Sequence, residues 1–192
     1  MTYKSTLLFL SLLCTQTAFA NPDVDAKLAG ADKNICQFDI KFSSEPQQKS
    51  QTVNLSPTVT MQIEQFVTTQ VKDNAKIASN VMCQNLTGHA YTGSKQEWAN
   101  FIDNGVKGLL NAGFKDLQFT RVGTDDATYK GDLANMEYIF TGDNDGNKQI
   151  IHNLAVLDKS NNQVITISVS GNEKVANEIK TEYQNLVNSF TP

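Results

Sequence analysis

The sequence predicts an α+β fold: a single domain made of an antiparallel sheet with helices packed on both faces. Three observations lead there. Segments of alternating apolar and polar residues joined by polar turns fill much of the chain, above all Leu133–Thr141, Ile150–Leu157 and Val164–Val169. Two other stretches, around Trp98 and from Val175 to Phe190, place their apolar residues at helical three- and four-residue steps. The segment Ile150–Leu157 is apolar on both faces, with Ile150, Leu154 and Val156 alternating against Ile151, Ala155 and Leu157. Such a strand lies centrally in a sheet and needs cover on both sides.

Taken in order, the chain opens with Lys4, an apolar run Leu7–Leu13, and Ala18-Phe19-Ala20, which sets small residues where a signal peptidase reads. Residues 1–20 therefore read as a Sec signal peptide cut after Ala20. The apolar run is too short to span a bilayer and nothing later is longer, so the expectation is an exported protein, periplasmic or secreted, with no membrane span. Cys14 has Leu13 where a lipoprotein signal needs a small residue, and it leaves with the leader. Losing Lys4 takes the formal net charge from −4, with 16 basic against 20 acidic residues, to −5. A mildly acidic chain without a basic cluster offers little to a phosphate backbone, which argues against nucleic acid as a partner.

Two cysteines remain, Cys36 and Cys83. An even count in an oxidising compartment predicts that they form a disulfide. A redox or metal pair is disfavoured, because there is no CxxC spacing and the whole chain has 2 His.

Residues 21–34 read as an N-terminal arm, and residues 35–192 as the folded domain. Ile35–Phe42 alternates cleanly, Cys36, Phe38, Ile40 and Phe42 against Gln37, Asp39 and Lys41, and is predicted as a strand. After a loop around Pro46, apolar odd positions run from Val53 to Ile63, with Pro57 marking an edge or an interruption. Val67–Asn80 is ambiguous and reads as partly helical. Thr87–Gly93 is a loop. Ser94 and Glu97 form a capping box for a helix whose stripe is Trp98, Phe101, Ile102, Val106, Leu109 and Leu110, and Gly113 suits its left-handed end. Short strands are expected at Leu117–Val122 and Ala127–Lys130, around a turn containing Asp125 and Asp126. The meander follows, its first hairpin turning at Gly142–Asn147, and then the helix whose stripe is Val175, Ile179, Tyr183, Leu186, Val187 and Phe190.

Chemistry-bearing residues are few. His89 and Tyr91 lie in the Thr87–Gly93 loop, a position suited to binding, and form the candidate binding loop. His152 alternates with apolar residues and reads as a core or interface histidine rather than a ligand. Asp143, Asp145 and Asn147 imitate the start of a calcium loop, but Gly146 is misplaced and Leu154 stands where the closing glutamate belongs. No metal site and no cofactor are expected. Asn54-Leu55-Ser56 and Asn85-Leu86-Thr87 match glycosylation sequons, although the short leader is bacterial in character and no glycans are expected. With no convergent nucleophile, base and orienting group, the chain reads as not an enzyme.

The arrangement resembles the PsbP-like superfamily, and within it the bacterial exported DcrB-like proteins. The residues that carry the resemblance are Cys36–Phe42 followed by Pro46, the Trp98 helix, the Leu133–Val169 meander and the closing Leu186-Val187-Asn188-Ser189-Phe190. Where that family has a proline after the first strand, this chain has Ser43. The resemblance implies a binding or assembly module with no shared catalytic set. The expectation is thus an exported, non-enzymatic binding or assembly-support module that presents loops and hairpin tips to an unknown protein or small ligand. An inhibitor of a lytic enzyme, a lysozyme or protease, is the alternative, with the Thr87–Gly93 loop as its plug. A hydrolase ranks third.

Overall fold

The computed structural model describes residues 36–124, 128–130 and 133–192. The signal peptide, the cleavage point after Ala20 and the arm at 21–34 lie outside them, as do Asp125 and Asp126. The chain runs β1 (Gln47–Ser56), β2 (Val59–Lys72), β3 (Ala75–Thr87), α1 (Lys95–Asn111), β4 (Phe114–Val122), β5 (Thr128–Tyr129), β6 (Leu133–Asn144), β7 (Asn147–Asp158), β8 (Gln163–Asn172), a short 3-10 turn and α2 (Ala176–Ser189). All pairings are antiparallel, in the order β1-β2-β3-β8-β7-β6-β4, with β5 also on β6.

β7 is central, as its two apolar faces require. Leu154 and Val156 join a cluster with Val81, Ile165, Ile167, Ile179, Leu186 and Phe190. Ile151 and Ala155 join another with Leu109, Met136, Tyr138 and Phe140. The expected α+β layering is nevertheless corrected. The fold is predominantly sheet, a path of seven strands plus the two-residue β5, and its two helices do not build a layer over each face. α2 packs mainly on β8, β7 and β3, α1 chiefly on β4, and neither makes its main contacts with β1 or β2. An apolar face reports that a strand is buried and not what buries it. Here Cys36, Phe38, Ile40 and Phe42 of an extended segment share the cover of one face with α2.

Two local expectations also change. Val67–Asn80 is not helical: it is the end of one long hairpin, in register from Thr60↔Thr87 to Lys72↔Ala75. Asp73 and Asn74 turn it with φ of 46° and 59°, the left-handed pair that a tight two-residue hairpin demands and that Asp and Asn tolerate. Residues 36–42 alternate in burial as expected, yet they are not a sheet strand. They form a strap tied to the end of the chain by one isolated bridge, Asp39 N–H to Thr191 O at 2.7 Å and Thr191 N–H to Asp39 O at 2.8 Å. Alternation arises in any extended, half-buried chain, whether or not a ladder flanks it. Phe38 and Phe42 reach Phe66 on β2, with ring centroids 5.8 and 6.3 Å away, and Phe38 also meets Phe190 at 6.0 Å.

Candidate functional site

The start of β8 organises the surroundings of the predicted loop. Asn162, at φ 51°, ends the β7–β8 turn, and its side chain makes three hydrogen bonds, two to the loop and one to the end of β3 that leads into it. Its Nδ2 donates to Leu86 O at 2.8 Å and to His89 O at 2.7 Å, while its Oδ1 accepts from Tyr91 N–H at 2.8 Å. From the other side, Glu97 accepts from Thr92 N–H at 2.9 Å and Gly93 N–H at 2.6 Å, and Ser94 Oγ accepts from Glu97 N–H at 3.2 Å. The capping box is thus present in the expected residues, with the glutamate reaching further back than Ser94. Burial by itself pushes the Glu97 carboxyl up, but the hydrogen bonds from Thr92, Gly93 and Ser94 outweigh it and hold the group below its ordinary value.

Held this way, the loop leaves His89 exposed, while Tyr91 is half-buried. Burial, aided by the charge of Glu97, pushes the Tyr91 phenol up to about 12, so it stays neutral and hydrogen-bonding at physiological pH. Tyr91, Glu97, Trp98, Phe101, Leu157 and Val164 surround an apolar dent of about 40 Å³. That has room for little more than one water molecule. The corner therefore offers a surface to lie against and no cavity to engulf a small molecule.

Gln163, next to Asn162, works inward. It is completely buried; its Nε2 donates to Gln37 O at 3.1 Å and to Asp158 Oδ2 at 3.0 Å, and its Oε1 accepts from Gln37 N–H at 3.3 Å. Beside it, with Sγ 3.4 Å from Gln163 Oε1, is Cys83, joined to Cys36 by the disulfide that the cysteine count predicted. Burial pushes Asp158 up, yet hydrogen bonds from Ser160, Asn161 and Gln163 prevail and hold its carboxyl below the usual range.

A second polar set lies under α2. Tyr183 donates to Glu137 Oε1 at 2.9 Å and stacks on His152, with ring centroids 5.4 Å apart. Burial lowers the His152 value, Lys180 adds to this, and Glu137 opposes it. Neither of the two cavities described for this fold is lined by His152 or Glu137. The histidine is partly buried, with its ring against Tyr183 of α2. At the β6–β7 tip, Asp143 Oδ1 accepts from Gly146 N–H at 2.7 Å, which is turn geometry. Among the described residues no group of His, Cys, Asp and Glu is arranged to hold a metal ion.

A larger groove, of about 440 Å³, opens between the strap and α2; Lys41, Phe42, Glu182, Asn185, Asn188 and Ser189 contribute to its walls. Sequence reasoning missed this groove, together with Asn162 and Gln163. The i, i+3, i+6 spacing of Glu182, Asn185 and Asn188 was the available signal, a polar helix flank that a second segment faces.

No known protein family and no curated protein matches the chain. Among solved structures, LpqN of Mycobacterium tuberculosis, involved in cell envelope biogenesis, aligns over 81% of this chain and 90% of its own with 11% identity and a TM-score of 0.46. The Ran-binding protein Mog1p of Saccharomyces cerevisiae aligns over 76% of this chain and 96% of its own, again at 11% identity, with a TM-score of 0.35. Likeness at this level is too low to carry over an activity or a partner.

Proposed function

We propose that the protein is an exported binding module without enzymatic activity, which engages a protein partner through the corner formed by the Thr87–Gly93 loop, the start of α1 and the β7–β8 turn. The observation that carries this reading is the bracing by Asn162 of the loop, at His89 O and Tyr91 N–H, and of Leu86 O in the strand end that leads into it. A loop that is exposed yet already fixed loses little conformational freedom on association, so more of its contact energy becomes affinity. The shallowness of the dent favours a protein surface over a small molecule. The Cys36–Cys83 disulfide fits an oxidising compartment, and among the described residues no helix is long and apolar enough to cross a membrane.

The test is capture from extract of the oxidising compartment by the immobilised mature chain, beside Asn162→Ala and His89→Ala. A partner retained by the wild type and reduced by about tenfold in Asn162→Ala, the equivalent of roughly 1.4 kcal/mol, supports the reading. Equal retention by both variants removes the corner from it, and the absence of any enriched protein counts against a protein partner altogether. The same fixed loop, with His89 outward, also suits a plug for the active site of a lytic enzyme. Inhibition of a lysozyme or a protease that His89→Ala abolishes would select that second reading.

A further inference from the structure

The strap–α2 groove is separate from the loop corner, and its chemistry differs. We propose that it binds a neutral oligosaccharide. Its walls combine what an uncharged polyol needs: amide groups that both donate and accept, one carboxylate, one ammonium and an aromatic ring. Asn185 and Asn188 are exposed on the α2 flank, and neither side-chain amide is hydrogen-bonded to another described residue. Glu182, only 8% exposed, accepts from Ser79 Oγ at 3.3 Å through Oε1, and nothing among the described residues donates to its Oε2. Phe42 adds a half-buried ring to the wall, suited to the C–H face of a sugar.

The same composition disfavours other ligands. Lys41 and Glu182 are the charged side chains of the wall and they cancel, so a phosphate or a sulfated chain gains one cation and meets one carboxylate. A lipid tail needs a continuous apolar lining, and here Phe42 is the one apolar side chain among the residues that line the groove. The groove is also fixed in advance. Lys41 N–H donates to Ser189 Oγ at 3.1 Å, Ser189 Oγ donates to Leu186 O at 2.9 Å, and the Asp39–Thr191 bridge anchors the strap on the same side. A volume of about 440 Å³ falls within the range of small-ligand sites and suits one or two sugar rings.

The experiment titrates the mature, oxidised chain with two uncharged tetrasaccharides, one of N-acetylglucosamine and one of glucose, followed by calorimetry and by amide chemical shifts. A heparin tetrasaccharide and a tripeptide serve as contrasts. The expected result is binding of one of the neutral sugars with Kd below about 1 mM and shifts centred on residues 41–43 and 182–189, weakened by about tenfold in Asn185→Ala/Asn188→Ala. Alanine is a good helix former, so this variant keeps α2, which a thermal melt checks. The sugar that binds tells an N-acetylated glycan from a plain glucan. Binding of neither sugar, preference for the heparin fragment or the tripeptide, or full affinity in the double variant each overturns the proposal.

Discussion

Two irregular segments meet at the start of β8, and adjacent residues hold them by opposite means. Asn162 braces the Thr87–Gly93 loop and the end of β3 before it from the surface, through three hydrogen bonds of 2.7–2.8 Å to backbone groups. Gln163 holds the strap from the inside, in a site from which water is excluded and beside a covalent bond. The consequences for a lost contact differ. Backbone groups at the loop regain water when Asn162 is cut back, whereas Gln163 is completely buried and its hydrogen bonds to Gln37 and Asp158 are lost in the interior. A brace at the surface tunes the shape of a loop; a brace in the interior sets the stability of the fold.

The largest expected effect is on the strap. Cys36→Ala/Cys83→Ala releases it covalently and is expected to cost about 2–4 kcal/mol, read as a lower urea midpoint. A midpoint identical to that of the oxidised wild type would show that the strap contributes little. Next, Gln163→Leu keeps most of the volume but removes the partner of the Gln37 N–H and C=O and one of two donors to Asp158 Oδ2, which keeps Asn161. Its expected cost is about 1–3 kcal/mol, clearly above that of Asn162→Ala measured in the same way. A larger loss for Asn162→Ala would invert the comparison.

The smallest effect is a pH slope. Asp158 has a folded value below its ordinary 3.8, so its contribution is present above that pH and is lost as the pH falls through the lower folded value. Comparing unfolding midpoints at neutral and acid pH, the wild type should lose more stability on acidification than Asp158→Asn. Parallel pH profiles for the two would detach Asp158 from the interior brace.

Much of the local structure was legible in the sequence. Ser94 and Glu97 announce the start of α1, Asp145-Gly146 marks the β6–β7 turn, and the cysteine count led to the disulfide that forms. The β2–β3 hairpin was harder, because Thr68 is buried on the face that carries Phe66, and this polar residue blurs the alternation. The strap shows the opposite difficulty: its pattern is that of a strand, while its backbone partners depend on where the end of the chain arrives. Asn162 and Gln163 looked like two ordinary residues of a polar turn. Nothing in a single sequence states that one of them is completely buried, since that is decided by Gln37 and Cys83, far away along the chain. Of the candidate pair, His89 is exposed as anticipated, but Tyr91 is half-buried and belongs to the brace of the loop as much as to its surface.

The sheet order has a consequence in time. β3 finds its second neighbour only in β8, with Ile77 opposite Gly171, while the disulfide and the β2–β3 hairpin lie wholly within the first half of the chain. A chain emerging from its N-terminus can close that hairpin and oxidise Cys36 with Cys83 before β8 has appeared. The join between the two halves is the long-range, slow step. Until it is made, Val81 and Cys83 on β3 lack the β8 strand that flanks them in the finished sheet, and the half-built hairpin exposes an edge to neighbouring chains.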